Sequence, residues 1–234
     1  KQSLSEVHQS VATHQKKGWR RILAFLGPAY LVSVGYMDPG NWATDIAGGA
    51  KFGYTLLSVI LISNFFAMLL QHLSLKLGIA TGRDLAQACR DSYSKPVSFV
   101  LWILAEVAIA ACDLAEVLGM AIGLQLLFDI PLLWGVSITM LDTFLLLFLL
   151  NKGIRKMEAF IISLIAIIGF SFLTEMFIVQ PNLAEVAKGF IPSLQNEEAL
   201  YIAIGIIGAT VMPHNLYLHS ALVQTRKIPR DEKG

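Results

Sequence analysis

Long runs of hydrophobic residues, separated by short polar segments, fill most of this chain of 234 residues. A helix needs about 20 mostly apolar residues to cross the hydrocarbon core of a bilayer. Six segments are long enough, and we place them at residues 22–50, 54–76, 97–127, 131–151, 157–179 and 199–225. The pattern therefore predicts an all-α membrane protein with six spans.

The composition supports this prediction. Hydrophobic residues make up 55% of the chain and charged residues 15%, against roughly 25% charged in an average soluble domain. This balance excludes a disordered tail and a water-facing domain, and it makes the lipid bilayer the expected surroundings. The formal net charge of +1 gives no reason to expect a nucleic-acid partner.

The distribution of Lys and Arg predicts the orientation. Of the 18 basic residues, all but Lys51 and Lys188 lie before the first span, in the 2–3 and 4–5 loops, or after the sixth span. By the positive-inside rule those regions are cytoplasmic, in a multi-pass protein of the cell membrane with a cytoplasmic N-terminus. We divide the chain into an N-terminal tail at 1–21, five spans within 22–179, an extracellular loop at 180–198, a sixth span at 199–225 and the start of a cytoplasmic loop at 226–234. We also expect a short helix on the cytoplasmic side, capped by Asp84. A second short helix, on the extracellular side, should run from Asn182 to Lys188 and be closed by Gly189.

The ionisable residues inside the predicted spans are almost all acidic. Apart from Lys76 and Glu158 at the span boundaries, the spans hold no Lys or Arg, but they contain Asp38, Asp45, Glu106, Asp113, Glu116, Asp142 and Glu175, together with His72, His214 and His219. Such groups are costly at bilayer depth and usually mark a route for a substrate, an ion or a proton, so the predicted cargo is a cation. Asp45, Glu175, His72 and His219 lie toward span ends, where we expect caps or local pairs, and Asp142 is left open.

Two spans are interrupted by proline near their middle. The first contains Asp38-Pro39-Gly40-Asn41, and the sixth contains Met212-Pro213-His214-Asn215. Proline has no N–H, so Pro39 and Pro213 leave the carbonyls of Gly35 and Ala209 without a helical donor.

Unwound backbone inside a membrane is tolerated only where it is buried in protein or lines a cavity. Because five span-to-span steps separate the breaks, the two interrupted helices run in opposite directions. Two such half-broken helices meeting at the midplane form the binding site in inverted-repeat secondary transporters. On this interpretation spans 1–5 form one repeat, and the sixth span begins a second.

The donors around the breaks favour a transition metal. They are the Asp38 carboxylate, the Asn41 side-chain carbonyl, the Ala209 backbone carbonyl and the Met212 thioether. Oxygen donors alone suit Ca²⁺ or Mg²⁺, whereas a thioether favours softer ions such as Mn²⁺, Fe²⁺ or Co²⁺. Incomplete ligation also suits a cargo that must leave again, so we expect a transported ion and no permanently bound cofactor.

These motifs resemble those of the Nramp family of proton-coupled divalent-metal transporters. The resemblance runs from Trp19 to Arg226 and includes Gly27-Pro28, Trp42-Ala43-Thr44-Asp45 and Leu216-Tyr217-Leu218-His219-Ser220. It implies a LeuT-like fold of eleven or twelve spans, so that this chain would supply the first six and the remaining transmembrane half of the same transporter would be its partner. It also implies that Asp38, Asn41, Ala209 and Met212 are the metal ligands.

A proton route is predicted on the third span. Glu106, Asp113 and Glu116 stand at i, i+7 and i+10, which places them on one helix face within an arc of about 80°. Three acids along one stripe suggest a relay. The family resemblance implies the same for Asp113 and Glu116 and less clearly for Glu106. His214 fits either proton exchange beside the metal or a structural role in the unwound turn.

The sequence thus predicts import of Mn²⁺- and Fe²⁺-like ions coupled to protons by alternating access. A sodium-coupled carrier of an organic substrate on the same architecture is one alternative, and an intramembrane metalloenzyme is another, although an enzyme would require a stronger His and carboxylate ligand set. Cys89 and Cys112 have no metal-binding or disulfide spacing, and we expect them to be packing residues.

Overall fold

The computed structural model describes residues 11–12, 32–151 and 154–227, and these are almost entirely helical. The helices are α1 (Pro39–Phe52), α2 (Leu57–Thr81), α3 (Leu85–Ser92), α4 (Lys95–Phe128), α5 (Leu132–Asn151), α6 (Ile154–Val179), α7 (Leu183–Gly189), α8 (Glu197–Thr210) and α9 (Pro213–Leu222), followed by a 3-10 turn at Val223–Thr225. A parallel pairing of β1 (Val11–Ala12) with β2 (Arg226–Lys227) completes the described part. The sequence did not predict this pairing, because two residues are too few to show a strand pattern.

Both predicted helix breaks are confirmed. Residues 32–35 are helical, a turn follows, and Asp38 is extended before α1 begins at Pro39. Helix α8 ends at Thr210, residues 211–212 are not helical, and α9 begins at Pro213. In both cases a proline takes the first position of the new helix, where its missing N–H costs nothing.

The span boundaries agree with the prediction to within a few residues. Among the described residues, four segments are long and apolar enough to cross a membrane, namely Leu57–Thr81, Lys95–Phe128, Ala159–Val179 and the interrupted Glu197–Thr225. Within α5, the described residues include a shorter apolar helical stretch at Leu132–Leu141. Residues 22–31 of the first predicted span, with Gly27 and Pro28, lie outside the described residues.

The two predicted short helices are present. Asp84 caps α3 through a capping box in which its carboxylate accepts from the Gln87 N–H and the Gln87 side chain accepts from the Asp84 N–H. Asn182 caps α7. Helix α7 ends at Gly189 as expected, although Gly189 is its last helical residue and Phe190 takes the cap position. The small size of Gly189 serves packing: a Cβ there would lie 2.2 Å from the Tyr54 carbonyl oxygen.

The chain divides into two compact units. The first comprises Lys1–Gly35, Met68–Cys112 and Pro213–Gly234, and the second comprises Tyr36–Ala67 and Asp113–Met212. The division passes through helices α2 and α4 and through the second helix break.

The second unit is built on the packing of α1 against α8. Its buried cluster consists of Leu56, Ala199, Ala203 and Ile206, surrounded by Phe52, Val59, Ile60 and Ile202. Gly48 of α1 faces this cluster, since a Cβ there would lie 3.2 Å from Leu56 Cδ1 and 3.5 Å from Ile202 Cγ2. Lys51 at the end of α1 forms an ion pair with Glu198 at the start of α8.

The first unit holds α9 against the C-terminal part of α2 and the start of α3. Ser74 Oγ donates to the Leu216 carbonyl at 2.5 Å, and the Leu85 N–H donates to Ser220 Oγ at 2.9 Å. Gly78 is required at this contact, because a Cβ there would lie 2.7 Å from the Ser220 carbonyl oxygen. The half-helix after the second break is therefore fixed to α2 and α3 by hydrogen bonds.

Large apolar side chains are exposed along α4, α5 and α6. Examples are Val107 at 62%, Phe144 at 68% and Phe170 at 72% exposure. A soluble protein does not leave such continuous apolar surface in water, whereas a membrane protein presents it to lipid or to further transmembrane helices.

Candidate metal centre

Asp38 lies at the first break with its carboxylate held by the backbone that follows it. It is 9% exposed and caps α1, because its Oδ1 accepts from the Asn41 N–H at 3.1 Å and from Asn41 Nδ2 at 2.7 Å. Within the described residues Oδ2 accepts no hydrogen bond. The missing side chain of Gly40 keeps this oxygen accessible, since a Cβ there would lie 2.8 Å from Oδ2. Among the described residues, one carboxylate oxygen is thus held by hydrogen bonds, whereas the other accepts none.

The Asn41 side chain is oriented by hydrogen bonds. Its Nδ2 donates to Asp38 Oδ1 and, at 3.1 Å, to the Tyr36 carbonyl, so its Oδ1 points elsewhere. That oxygen lies 3.5 Å from Thr210 Oγ1, which also donates to the Ile206 carbonyl at 2.7 Å. The sequence did not point to Thr210. Its place between Ala209 and the second break was the only signal that could have suggested it.

The two remaining predicted ligands lie at the end of α8. Ala209 is followed four residues later by Pro213, so its carbonyl has no helical N–H to accept from. Met212 is 4% exposed and lies in the non-helical link between α8 and α9. The Asn41–Thr210 contact brings the first break to the residue next to Ala209, within the second unit.

The donors at this site are weak and mixed. Among the described residues no three His, Cys, Asp or Glu side chains are grouped so that they could hold a metal ion. The predicted ligand set instead comprises one carboxylate oxygen, one amide oxygen, one backbone carbonyl and one thioether, and its assembly around an ion stays a prediction. Such a set can replace part of the hydration shell of a divalent ion without holding it permanently.

Gly35, whose carbonyl Pro39 leaves without a helical donor, lies against an amide. In the first unit a Cβ on Gly35 would lie 2.5 Å from both Nδ2 and Oδ1 of Asn215, and Asn215 is only 1% exposed. The missing side chain of Gly35 therefore makes room for the Asn215 amide beside the first break.

The three acids of the predicted relay lie on one continuous helix, α4. Glu106, Asp113 and Glu116 are all exposed in the described part of the chain, and Glu106 accepts a hydrogen bond from Trp102 Nε1 at 2.9 Å. Their role in proton movement stays a prediction.

The remaining ionisable residues of the predicted spans lie in different surroundings. In the first unit His219 Nδ1 lies 2.6 Å from Gln71 Oε1, which agrees with the local pairing expected for it. Asp45, Glu175 and His72 are exposed. The side chain of Asp142 lies outside the described residues. His214 contacts the thiol of Cys112 at 3.6 Å, and this contact was not predicted.

Comparison with known proteins decides the family. The family model described as natural resistance-associated macrophage protein-like, or Nramp, matches residues 29–234. The chain belongs to the Nramp family. It is 63% identical over 228 residues to the divalent metal cation transporter MntH of a Nostoc species, covering 96% of this chain and 52% of that protein. The MntH proteins of Bradyrhizobium diazoefficiens and Listeria welshimeri are 62% and 61% identical, and 99% of this chain is covered in each case, with 52% and 53% of the relative. The chain thus spans about half the length of these Nramp relatives.

Solved structures give the fold. A manganese transporter of Eremococcus coleocola, crystallised with an aromatic bis-isothiourea compound, matches all of this chain with a TM-score of 0.88 and 50% identity, over 49% of its own length. The predicted fold class is therefore confirmed: this is a helical membrane chain with the LeuT-like Nramp architecture. Its relatives are transporters and not enzymes.

Proposed function

We propose that this chain supplies half of a secondary transporter that imports divalent transition-metal ions such as Mn²⁺ and Fe²⁺, coupled to protons, by alternating access. The observation that carries the proposal is the arrangement at the first break, where Asp38 Oδ1 is fixed by Asn41 while Oδ2 remains available. The names of the relatives, divalent metal cation transporter and manganese transporter, support the same substrate class.

In this proposal the cargo binds to Asp38 Oδ2, Asn41 Oδ1, the Ala209 carbonyl and the Met212 sulfur. The carboxylate supplies the charge that attracts a dication, and the thioether disfavours hard ions such as Ca²⁺ and Mg²⁺. The helix interruptions at Pro39, Gly40 and Pro213 make the backbone available to the ion. Remaining positions are filled by water or by residues of the other transmembrane half.

The proton route in this proposal uses Asp113 and Glu116, with Glu106 on the same face and His214 beside the second break. A cation next to Asp38 requires the ionised carboxylate, so metal binding disfavours a proton nearby. Acids on α4 then give that proton a separate way through the membrane. In this proposal the N-terminus is cytoplasmic, residues 22–179 hold the first five spans, residues 180–198 form an extracellular loop, and residues 199–225 form the sixth span.

The alternatives are less well supported by the donors. A carrier of an organic substrate has no use for a thioether at the break. An intramembrane metalloenzyme needs about three strong ligands with an open position, and the proposed set has a single charged donor.

The experiment replaces Asp38 by Asn in the full-length transporter. Asn caps a helix as well as Asp does, so Asp38→Asn keeps α1 capped and removes only the charge. We expect Mn²⁺ affinity, measured by calorimetry, to fall by more than about 100-fold, since even an outer-shell partner of a metal is worth 10- to 100-fold. Mn²⁺ uptake into proteoliposomes should be lost with it.

Asp84→Asn is the matched control. Asp84 is also a helix N-cap with its side chain bonded to the third helical N–H, but it caps the short helix α3 and not an interrupted span. This variant should fold and take up Mn²⁺ like the unmodified protein. Uptake by Asp38→Asn at the unmodified rate would contradict the proposal.

A further inference from the structure

Cys112 and His214 are 102 residues apart in the sequence but meet in the first unit. The Cys112 Sγ lies 3.6 Å from His214 Nε2. Cys112 belongs to α4 and His214 to the first turn of α9, and both side chains are half-buried. A thiol and an imidazole are the two protein donors that Zn²⁺ and similar ions bind best.

We propose that this pair is a second cation site, one that takes soft divalent ions of the Zn²⁺ and Cd²⁺ class. Its donors, one sulfur and one ring nitrogen, differ from the oxygen-rich set at Asp38. None of the roles argued above for metal transport involves Cys112.

The distance between the donors fits this assignment. Zn–S bonds of about 2.3 Å and Zn–N bonds of about 2.0–2.1 Å, opened at the tetrahedral angle of about 109°, place sulfur and nitrogen about 3.5 Å apart. The observed separation of 3.6 Å is that distance to within 0.1 Å. The two donor atoms therefore already have the separation that a shared tetrahedral ion requires.

The binding chemistry is simple. The Cys112 thiol loses its proton to water as the sulfur–metal bond forms, and Nε2 of the neutral imidazole donates its lone pair. Water completes the coordination. Because only two protein ligands take part, the ion should be exchangeable. Mn²⁺, which prefers oxygen donors, should bind this pair much more weakly than Cd²⁺ or Zn²⁺.

The test is protection of the thiol from alkylation by a maleimide, with Cd²⁺ as the probe. Peptide mass spectrometry follows each cysteine of the purified full-length protein separately, so no cysteine has to be removed. Cys89 is the internal control: it is also half-buried, and burial raises the pKa of its thiol, so its labelling is compared with its own rate without metal.

At a Cd²⁺ concentration about ten times the dissociation constant, we expect Cys112 labelling to slow about tenfold, because only the unoccupied fraction reacts. Cys89 labelling should be unchanged, and Mn²⁺ at the same concentration should protect neither thiol. His214→Gln should abolish the protection of Cys112 by removing the nitrogen donor. Equal effects of Cd²⁺ on both cysteines, or full protection in His214→Gln, would overturn the proposal.

A second measurement covers the case in which the maleimide does not reach Cys112. Cd²⁺ bound to a thiolate adds an ultraviolet charge-transfer band. We expect this band in the unmodified protein and a smaller band in Cys112→Ser, while Cys89→Ser should match the unmodified protein. A band of the same size in Cys112→Ser would also overturn the proposal. Because both readouts measure binding alone, they are independent of whether the protein transports metal.

Discussion

Helix α4 meets the first helix break at Gly119, and this contact gives the sharpest test of the packing in the second unit. A Cβ built on Gly119 would lie 2.2 Å from Pro39 Cγ and 2.5 Å from Pro39 Cβ. Carbon atoms pack best at about 3.5–4.0 Å, so the added methyl group is too close by more than 1 Å. The proline ring is rigid and cannot turn away, so Gly119→Ala must push α4 and α1 apart.

The loss of folding stability can be estimated by comparison with Gly123, which lies one turn further along α4. A Cβ on Gly123 would meet nothing within 4 Å. Both substitutions gain about 1 kcal/mol of helix propensity, which cancels in the comparison. Overpacking costs about 1–3 kcal/mol, so Gly119→Ala should be less stable than Gly123→Ala by that amount. The corresponding ratio in folding equilibrium is about 5- to 150-fold.

The assay is thermal unfolding of the two full-length variants in detergent, followed by Mn²⁺ uptake into proteoliposomes. Gly123→Ala should unfold at the same temperature as the unmodified protein or slightly higher, with normal uptake. Gly119→Ala should unfold at a lower temperature and lose uptake, since Gly119 lies one turn from Glu116 and the displaced helix carries that acid with it. Equal stability and equal uptake in the two variants would refute the packing argument.

Two further predictions test the site and the proton route in the full-length protein. Met212→Ala should let Ca²⁺ or Mg²⁺ compete much more effectively with Mn²⁺ uptake, because removal of the thioether leaves only hard oxygen donors, while Mn²⁺ uptake persists in part. An unchanged competition profile would remove the selectivity role of the sulfur. Asp113→Asn should reduce proton entry relative to Mn²⁺ entry when both fluxes are measured together, and wild-type coupling in this variant would contradict the relay.

The amino-acid sequence alone was sufficient for features that depend on covalent structure and local pattern. Pro39 and Pro213 cannot donate a backbone hydrogen bond, so the interruptions before them were predictable to the residue. The cap at Asp84 follows from a motif four residues long, and the apolar runs gave the helices to within a few residues. The motifs at the two breaks were also sufficient to recognise the Nramp family.

Contacts between distant residues were decided by the tertiary structure. Nothing near Thr210 in the sequence shows that its hydroxyl lies near the Asn41 amide, 169 residues earlier. Gly119 looks like any helix glycine until Pro39 is placed against it, and nothing near Gly189 in the sequence shows that Tyr54 approaches it. Cys112, which the sequence suggested to be inert, lies against His214.

The distant contacts could not be predicted because helical periodicity determines which residues share a helix face, but not which faces of two helices pack together. The rotation and tilt of each helix are set by how ridges, glycines and short side chains fit against a neighbour. The sequence of this chain determined its interrupted membrane helices and the kinds of donor atoms at the breaks. Only long-range packing decided that Asn41 lies near Thr210, that Pro39 rests on Gly119, and that the Cys112 thiol lies 3.6 Å from the His214 imidazole.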